Sequence, residues 1–204
     1  MITLHHLRIG RSLFTVWLLE EASCDYQLKV YHRHPETMRA PAELKDIHPL
    51  GKSPVIEDGD LMLSESGVIT SYILEKFDTD HRLQPSRSDL SSWAVYQQWL
   101  TYPEGSVFAP LMLKMLTMRS SDHELITPFA EAEISLHFNH IANQLAENDY
   151  ILGDQFGGAD FGIAYVISMA ERLGQLGEYP TLQAYLERCK ARPAFIRAVE
   201  KAVE

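Results

Sequence analysis

The spacing of apolar residues changes period once along the chain. Over roughly the first third, short β-like runs alternate with helical ones. Residues 2–7 form a short, β-leaning run followed by Gly10, which predicts a strand and a turn. Leu13, Val16 and Trp17 then fall at helical spacing within residues 12–22. Tyr26, Leu28 and Val30 alternate with Gln27, Lys29 and Tyr31, a half-buried strand over 26–32. Pro35 and Pro41 interrupt the next segment and leave room for a short helix over 42–47. Asp58-Gly59-Asp60 lies between Val55-Ile56-Glu57 and Leu61-Met62-Leu63, a hairpin pattern, because tight primed turns need positive φ. Ser64-Glu65-Ser66 precedes Val68, Ile69, Tyr72, Ile73 and Phe77, which predicts a helix with a serine cap at its entry. The order β-α-β-(α)-β-β-α describes a small layered α/β domain.

After residue 78 the strand period disappears. A polar stretch with Pro85 reads as a linker, and everything beyond it reads as helix. Residues 90–118 are apolar on one side but interrupted by Pro103, Gly105 and Pro110, so this helix is expected to kink. Ile134, Phe138, Ile141 and Leu145 mark a helix over 125–146, and Ile163, Ile167, Ala170 and Leu173 mark another over 161–173. Leu182, Leu186 and Cys189 share a helical face, and Pro193 opens a last short helix. The expected organisation is an α/β domain over 1–78, a linker over 79–88 and an all-helical domain over 89–204.

Composition narrows the function classes. With 46% apolar and 23% charged residues, 204 residues can build a core, which excludes a disordered tail, a collagen-like fibre or a disulfide-stapled miniprotein. A formal charge of −10 repels phosphate backbones and argues against nucleic-acid binding, though a small anion can still occupy one local positive pocket. Cys24 and Cys189 are too far apart in sequence for a metal or redox motif and suit a reducing compartment. The N-terminus lacks the charge-then-apolar pattern of an export signal. The apolar run 107–113 contains Pro110 and falls far short of the about 20 residues a membrane span needs. The expectation is a cytoplasmic protein without a membrane span. His32 and His34, like His137 and His140, form pairs without a third ligand nearby in sequence, so no metal is expected. Ile9-Gly10-Arg11-Ser12 follows the first strand where a disulfide reductase would carry Cys-x-x-Cys.

Three places in the first domain invite chemistry. Gly10-Arg11-Ser12 stands between strand one and helix one, where free N–H groups and the positive end of the helix dipole stabilise a thiolate or oxyanion. An ordinary βα turn has the same appearance. Gly51-Lys52-Ser53-Pro54 enters the third strand, and a cis bond there would turn the Ser53 backbone N–H and C=O outward to meet an extended peptide, whereas most X-Pro bonds are trans. Glu65 and Ser66 open a helix whose N–H groups suit a carboxylate, with Glu65 available to an ammonium, or form a plain acidic helix start. Taken together, the three ask for an extended, zwitterionic, thiol-bearing peptide.

That constellation resembles the soluble glutathione transferases, in which a thioredoxin-like domain precedes a helical one. The resemblance covers nearly the whole chain. It rests on Lys52-Ser53-Pro54-Val55, Glu65-Ser66 and Gly158-Ala159-Asp160 at a helix start. A fungal and bacterial branch is suggested by Leu4-His5-His6-Leu7 with Trp17-Leu18-Leu19-Glu20-Glu21, by residues 40–51, and by Glu104-Gly105-Ser106 before Pro110-Leu111-Met112. The resemblance implies that Ser53 pairs with the cysteinyl unit of glutathione and that Glu65 and Ser66 hold its γ-glutamyl end. Lys52 is then a partner for the glycine carboxylate, and Gly10 and Pro54 line the same site. The electrophile would lie in a cleft between domains against Tyr102, Phe108 and Met112, an aromatic and methionine wall that suits apolar compounds, although the same residues equally suit a plain core.

Two positions depart from that pattern. Gly10 stands where relatives carry the hydroxyl that bonds the thiolate, and Arg11 stands at the position of the cysteine-type nucleophile. Ser12, or Arg11 with the helix N-terminus, would then stabilise the sulfur. Gly157 replaces the usual Ser or Thr three residues before Asp160. The implied function is conjugation of glutathione to apolar electrophiles by a homodimer. The alternatives are a non-catalytic ligand carrier or adaptor of the same fold, and glutathione-dependent peroxide reduction or isomerisation.

Overall fold

The computed structural model describes residues 1–119 and 124–203. They divide into two compact units, one made of residues 1–80 with 191–204 and the other of residues 81–190.

In the first unit β1 (Ile2–Leu7), α1 (Ser12–Glu21) and β2 (Tyr26–Tyr31) form a βαβ crossover with β1 and β2 parallel. The short α2 (Glu43–Ile47) follows, then β3 (Val55–Asp58), β4 (Leu61–Ser64) and α3 (Ser66–Phe77). The mixed sheet runs β2-β1-β3-β4, with β3 antiparallel to both its neighbours. Leu4, Val16, Trp17, Ile56, Ile69 and Ile73 are wholly buried and hold α1 and α3 in this core. The serine cap expected for α3 is absent. Ser64 is taken up by the β4 ladder opposite Val55, so the cap position falls to Glu65, whose side chain makes no capping bond.

α1 is buried almost all round, from Phe14 to Glu20. A helix of that kind needs a cover on its outer face as well as its inner one. α9 (Pro193–Ala202) supplies it, with Phe195 5.1 Å from the Trp17 ring and 6.1 Å from the Phe14 ring. Arg192 grips the Glu21 carboxylate with two nitrogens, at 2.6 and 3.0 Å. The chain end therefore belongs with the first unit, a correction to the expected helical domain 89–204. The expected linker 79–88 is also tighter than its polarity suggested, since Leu83 and Gln84 are buried and the Leu83 carbonyl accepts the Gly158 N–H at 2.6 Å.

Among its described residues the second unit is built from helices joined by turns, with one isolated bridge between Tyr150 and Gly153: α4 (Leu90–Tyr102), α5 (Phe108–Thr117), α6 (Ile126–Gln144), α7 (Gly158–Arg172) and α8 (Pro180–Lys190). The expected kink is a single π-helical turn, Pro103–Val107, between α4 and α5. Proline has no N–H to continue the α ladder, and the turn widens until the Phe108 N–H reaches the Pro103 carbonyl. At the start of α7 the buried Asp160 carboxylate accepts from Gly157 N–H at 2.8 Å, Ile151 N–H at 3.0 Å and the Tyr185 hydroxyl at 2.9 Å. A Cβ on Gly157 would lie 3.1 Å from the Leu83 carbonyl, a tight contact that disfavours a larger residue there.

Candidate functional site

Sheet register brings three segments of the first unit together. Val55 pairs with Ser64, so Ser53 and Ser66 lie just beyond the same end of the β3–β4 ladder. His5 pairs with Val55, which lays the end of β1 alongside Ser53. The Ser53 hydroxyl locks that junction by donating to the His5 carbonyl at 2.7 Å and accepting the Leu7 N–H at 3.1 Å. Its side chain is thus committed to the fold. The main-chain N–H and C=O of Ser53 take no partner among the described residues, and the Ser53–Pro54 bond is cis.

Glu65 has φ 70° and ψ 115°, a region that residues with a Cβ rarely adopt and that is found where function demands a strained backbone. The first helical bond of α3 runs from Ile69 N–H to Glu65 O at 2.9 Å. The N–H groups of Ser66, Gly67 and Val68 therefore remain open to a ligand at the positive end of the helix. Lys52 is exposed, and its ammonium is unpaired among the described residues. Pro54 is buried at the strand entry. One end of the sheet thus presents an unpaired peptide edge, open N–H groups, a carboxylate and an ammonium.

The turn between β1 and α1 differs from expectation in one respect. Ser12 is 1% exposed, and its hydroxyl lies 3.1 Å from Leu7 N, 3.2 Å from Leu7 O and 2.9 Å from His6 Nδ1. It ties the helix start to β1, and its single proton has acceptors at hand in the Leu7 carbonyl and His6 Nδ1. Arg11 occupies the cap position of α1 in helical conformation and is half-buried, with Gly10 beside it. A residue that sequence spacing did not single out reaches the same turn. Arg33 donates from Nε to the carbonyls of Arg8 (3.1 Å) and Ile9 (3.2 Å), from Nη2 to Ile9 O (2.9 Å), and from Nη1 to Met38 O (3.0 Å). It lies past the end of β2, and only the parallel pairing of β1 and β2 brings it to Gly10, so no local motif announces it.

His5 is fully buried on β1, with Nδ1 2.9 Å from the Tyr31 hydroxyl and Nε2 3.2 Å from Glu57 Oε1. Burial lowers its pKa against the opposing pull of Glu57, and burial likewise raises that of Tyr31. Both histidines of β1 are fully buried, closed off from the open edge.

In the second unit Tyr102 donates or accepts a 2.6 Å bond with His137 Nδ1 and packs edge-on against Trp99, His137 and His140. Its hydroxyl is engaged with α6. Burial raises the Tyr102 pKa and lowers that of His137. Phe108 and Met112 are half-buried, one turn apart on α5, and Phe108 stacks on Tyr165 at 6.1 Å. Among the described residues, no group of three or more His, Cys, Asp or Glu is placed to hold a metal, and no helix is long and apolar enough to cross a membrane.

Comparison with known proteins agrees with this geometry. The family model for the glutathione S-transferase N-terminal domain matches residues 1–75, and that for the glutathione S-transferase C-terminal domain matches residues 116–188. The chain is 28% identical to glutathione S-transferase 1 of Saccharomyces cerevisiae, over 99% of this chain and 95% of that one. It is 30% identical to glutathione S-transferase 3 of Schizosaccharomyces pombe, over 98% of this chain and 88% of that one. A crystal structure of a glutathione S-transferase from Actinobacillus pleuropneumoniae superposes with a TM-score of 0.91 at 35% identity, covering 100% of this chain and 93% of the other. With a thioredoxin-like unit, a helical unit and matches spanning both, the chain belongs to the glutathione S-transferase family.

Proposed function

We propose that the protein binds reduced glutathione on its first unit, holds it as the thiolate and transfers it to apolar electrophiles. The observation that carries this reading is the juxtaposition of the unpaired Ser53 main chain with the open N-terminus of α3, set by the Val55–Ser64 register. An extended tripeptide matches those features group by group. Its central peptide pairs with Ser53, and its γ-glutamyl carboxylate takes the N–H groups at Ser66. Its ammonium faces Glu65, and its far carboxylate faces Lys52.

The thiol then falls to the β1–α1 turn, where Gly10, Arg11 and the start of α1 provide charge and dipole in place of a hydroxyl. The thiol releases its proton to solvent. The sulfur lone pair forms the new C–S bond as the leaving group departs with its bonding electrons. Proximity and stabilisation of the thiolate supply most of the acceleration. Tyr102, Phe108 and Met112 are the proposed apolar contacts of the electrophile, and a homodimer is the proposed assembly.

The burial of Ser12 favours a second reading, a carrier that binds glutathione without activating it. Peroxide reduction and isomerisation share the same thiolate and differ in the electrophile. Ultraviolet titration of thiolate with bound glutathione separates these readings. A bound thiol pKa well below the about 8.5 of a free thiol, together with turnover of 1-chloro-2,4-dinitrobenzene, supports transfer. Binding with an unshifted thiol supports the carrier, and no binding removes the site.

A further inference from the structure

Gly10 lacks the hydroxyl expected to meet the glutathione sulfur, and a positive charge occupies the adjoining space. A Cβ built on Gly10 would lie 3.1 Å from Arg33 Nη2 and 3.1 Å from the Leu7 carbonyl. The guanidinium is aimed there by the carbonyls of Arg8, Ile9 and Met38. Two of those carbonyls belong to residues in unusual backbone conformations, Ile9 at φ 56° and Met38 at φ 55°. Positive φ at a β-branched residue is a genuine outlier and persists where surrounding bonds over-determine it. Ile9 O accepts both Nε and Nη2 of Arg33, so the strained turn and the arginine hold each other.

We propose that Arg33 replaces the absent hydroxyl. Its fixed guanidinium charge lowers the pKa of the thiol of bound glutathione, and glycine stands at position 10 because a side chain would crowd that group. The inference rests on the glutathione-binding reading of this site. Arg33 is a positioning and charge-supplying residue for that site, and it stays charged throughout the working pH range. An opposite charge within about 4–6 Å favours an anion by about 1–3 pKa units, enough to convert a mostly protonated thiol to thiolate near neutrality. The charged and titratable residues next to the turn and to position 33 in the sequence include Arg8, Arg11, His34, Glu36 and Arg39. All are kept in variants at position 33, so a shift in the thiol is assigned to that position.

The test compares wild type with Arg33→Gln, which keeps donors but removes the charge, and with Arg33→Lys, which keeps the charge. Each is titrated for thiolate absorbance with glutathione bound, and each is measured by calorimetry with S-methylglutathione, which has no ionisable thiol. The expected result is a bound-thiol pKa at least about one unit higher in Arg33→Gln, with a thiolate-to-thiol ratio about tenfold lower at any given pH. Arg33→Lys remains close to wild type, and S-methylglutathione affinity changes little in either variant. The double variant Gly10→Ser/Arg33→Gln recovers part of the lost thiolate, because it restores a hydroxyl where the guanidinium stood.

An unchanged thiol pKa in Arg33→Gln overturns the proposal, and so does a parallel loss of glutathione and S-methylglutathione affinity at unchanged pKa, which makes Arg33 a clamp on the turn. If Arg33→Gln does not fold, Arg33→Lys and Gly10→Ala decide. Displacing the guanidinium by the added methyl in Gly10→Ala is expected to raise the thiol pKa, and no rise there overturns the proposal. Failure of S-methylglutathione to bind wild-type protein refutes the binding site itself, a result distinct from an unshifted thiol.

Discussion

The Ser12 hydroxyl and His6 Nδ1 are 2.9 Å apart, and both side chains are closed to solvent. The bond spans the β1–α1 turn and places the hydroxyl on the strand side of the helix start, where it also meets the Leu7 N–H and carbonyl. Ser12→Ala is therefore expected to lower stability by about 1–3 kcal/mol, the usual cost of leaving buried polar partners unpaired. The pKa of a bound glutathione thiol should not move. Denaturant unfolding and thiolate titration check the two halves, and a raised thiol pKa would return Ser12 to the chemistry.

Glu65 and Ser66 test the ligand end. Glu65→Ala keeps a Cβ at φ 70° and removes only the carboxylate, so it is expected to weaken glutathione binding by about tenfold or more, near the worth of one charged hydrogen bond. Glu65→Gly should lose the same affinity yet gain about 1 kcal/mol of stability, because glycine relieves the backbone strain. Calorimetric titration and thermal unfolding of the same samples separate the two effects.

Asp160 accepts from two main-chain N–H groups and the Tyr185 hydroxyl while 1% exposed. Asp160→Ala strands the two main-chain donors and leaves the Tyr185 hydroxyl its 3.3 Å contact with the Asp160 carbonyl. A loss of about 3–5 kcal/mol is expected, the scale for breaking a buried charged network, with yields of folded protein falling accordingly. Urea midpoints measure it.

Glu20 couples α9 to α1. Burial alone would raise its pKa, but bonds from Lys201, Tyr26 and Arg197 outweigh that and hold the carboxyl below its ordinary value. A depressed folded-state pKa contributes stability above the unfolded value, about 4.3, and the contribution is lost as pH falls through the folded one. Stability should therefore drop on acidification below about pH 4, and Glu20→Gln should flatten that part of the profile. Unfolding free energy measured from pH 3 to pH 7 for both proteins checks the slope, using about that window.

Neither cysteine competes with glutathione. Burial, then the charges of Asp25 and Glu20, push the Cys24 thiol up to about 12, and Cys189 is 1% exposed. A disulfide reagent at mildly alkaline pH should label both thiols quickly in denaturant and hardly at all in the folded protein. Rapid labelling of one thiol in the folded state would contradict this.

Much of the architecture follows from local pattern. The strand periods over 2–7 and 26–32, the Asp58-Gly59-Asp60 hairpin and the helices after residue 90 are properties of neighbouring residues, because side-chain alternation and turn chemistry act over a few positions. The strand entry after Lys52-Ser53-Pro54 and the helix start at Glu65-Ser66 were legible for the same reason, because both are local signals. Tertiary structure decided what depends on pairing between distant segments. The Val55–Ser64 register set Ser53 beside Ser66, and parallel pairing of β1 with β2 carried Arg33 to Gly10. The apolar outer face of α1 drew the last helix back to the first unit through Phe195, against the simple division into two consecutive domains. The Ser12 hydroxyl is turned into the fold because burial of a hydroxyl is decided by what closes over it, and His6 and Leu7 do so only once the strand and helix have met. Spacing along the chain specifies which elements form, whereas their packing determines which polar groups remain exposed for chemistry.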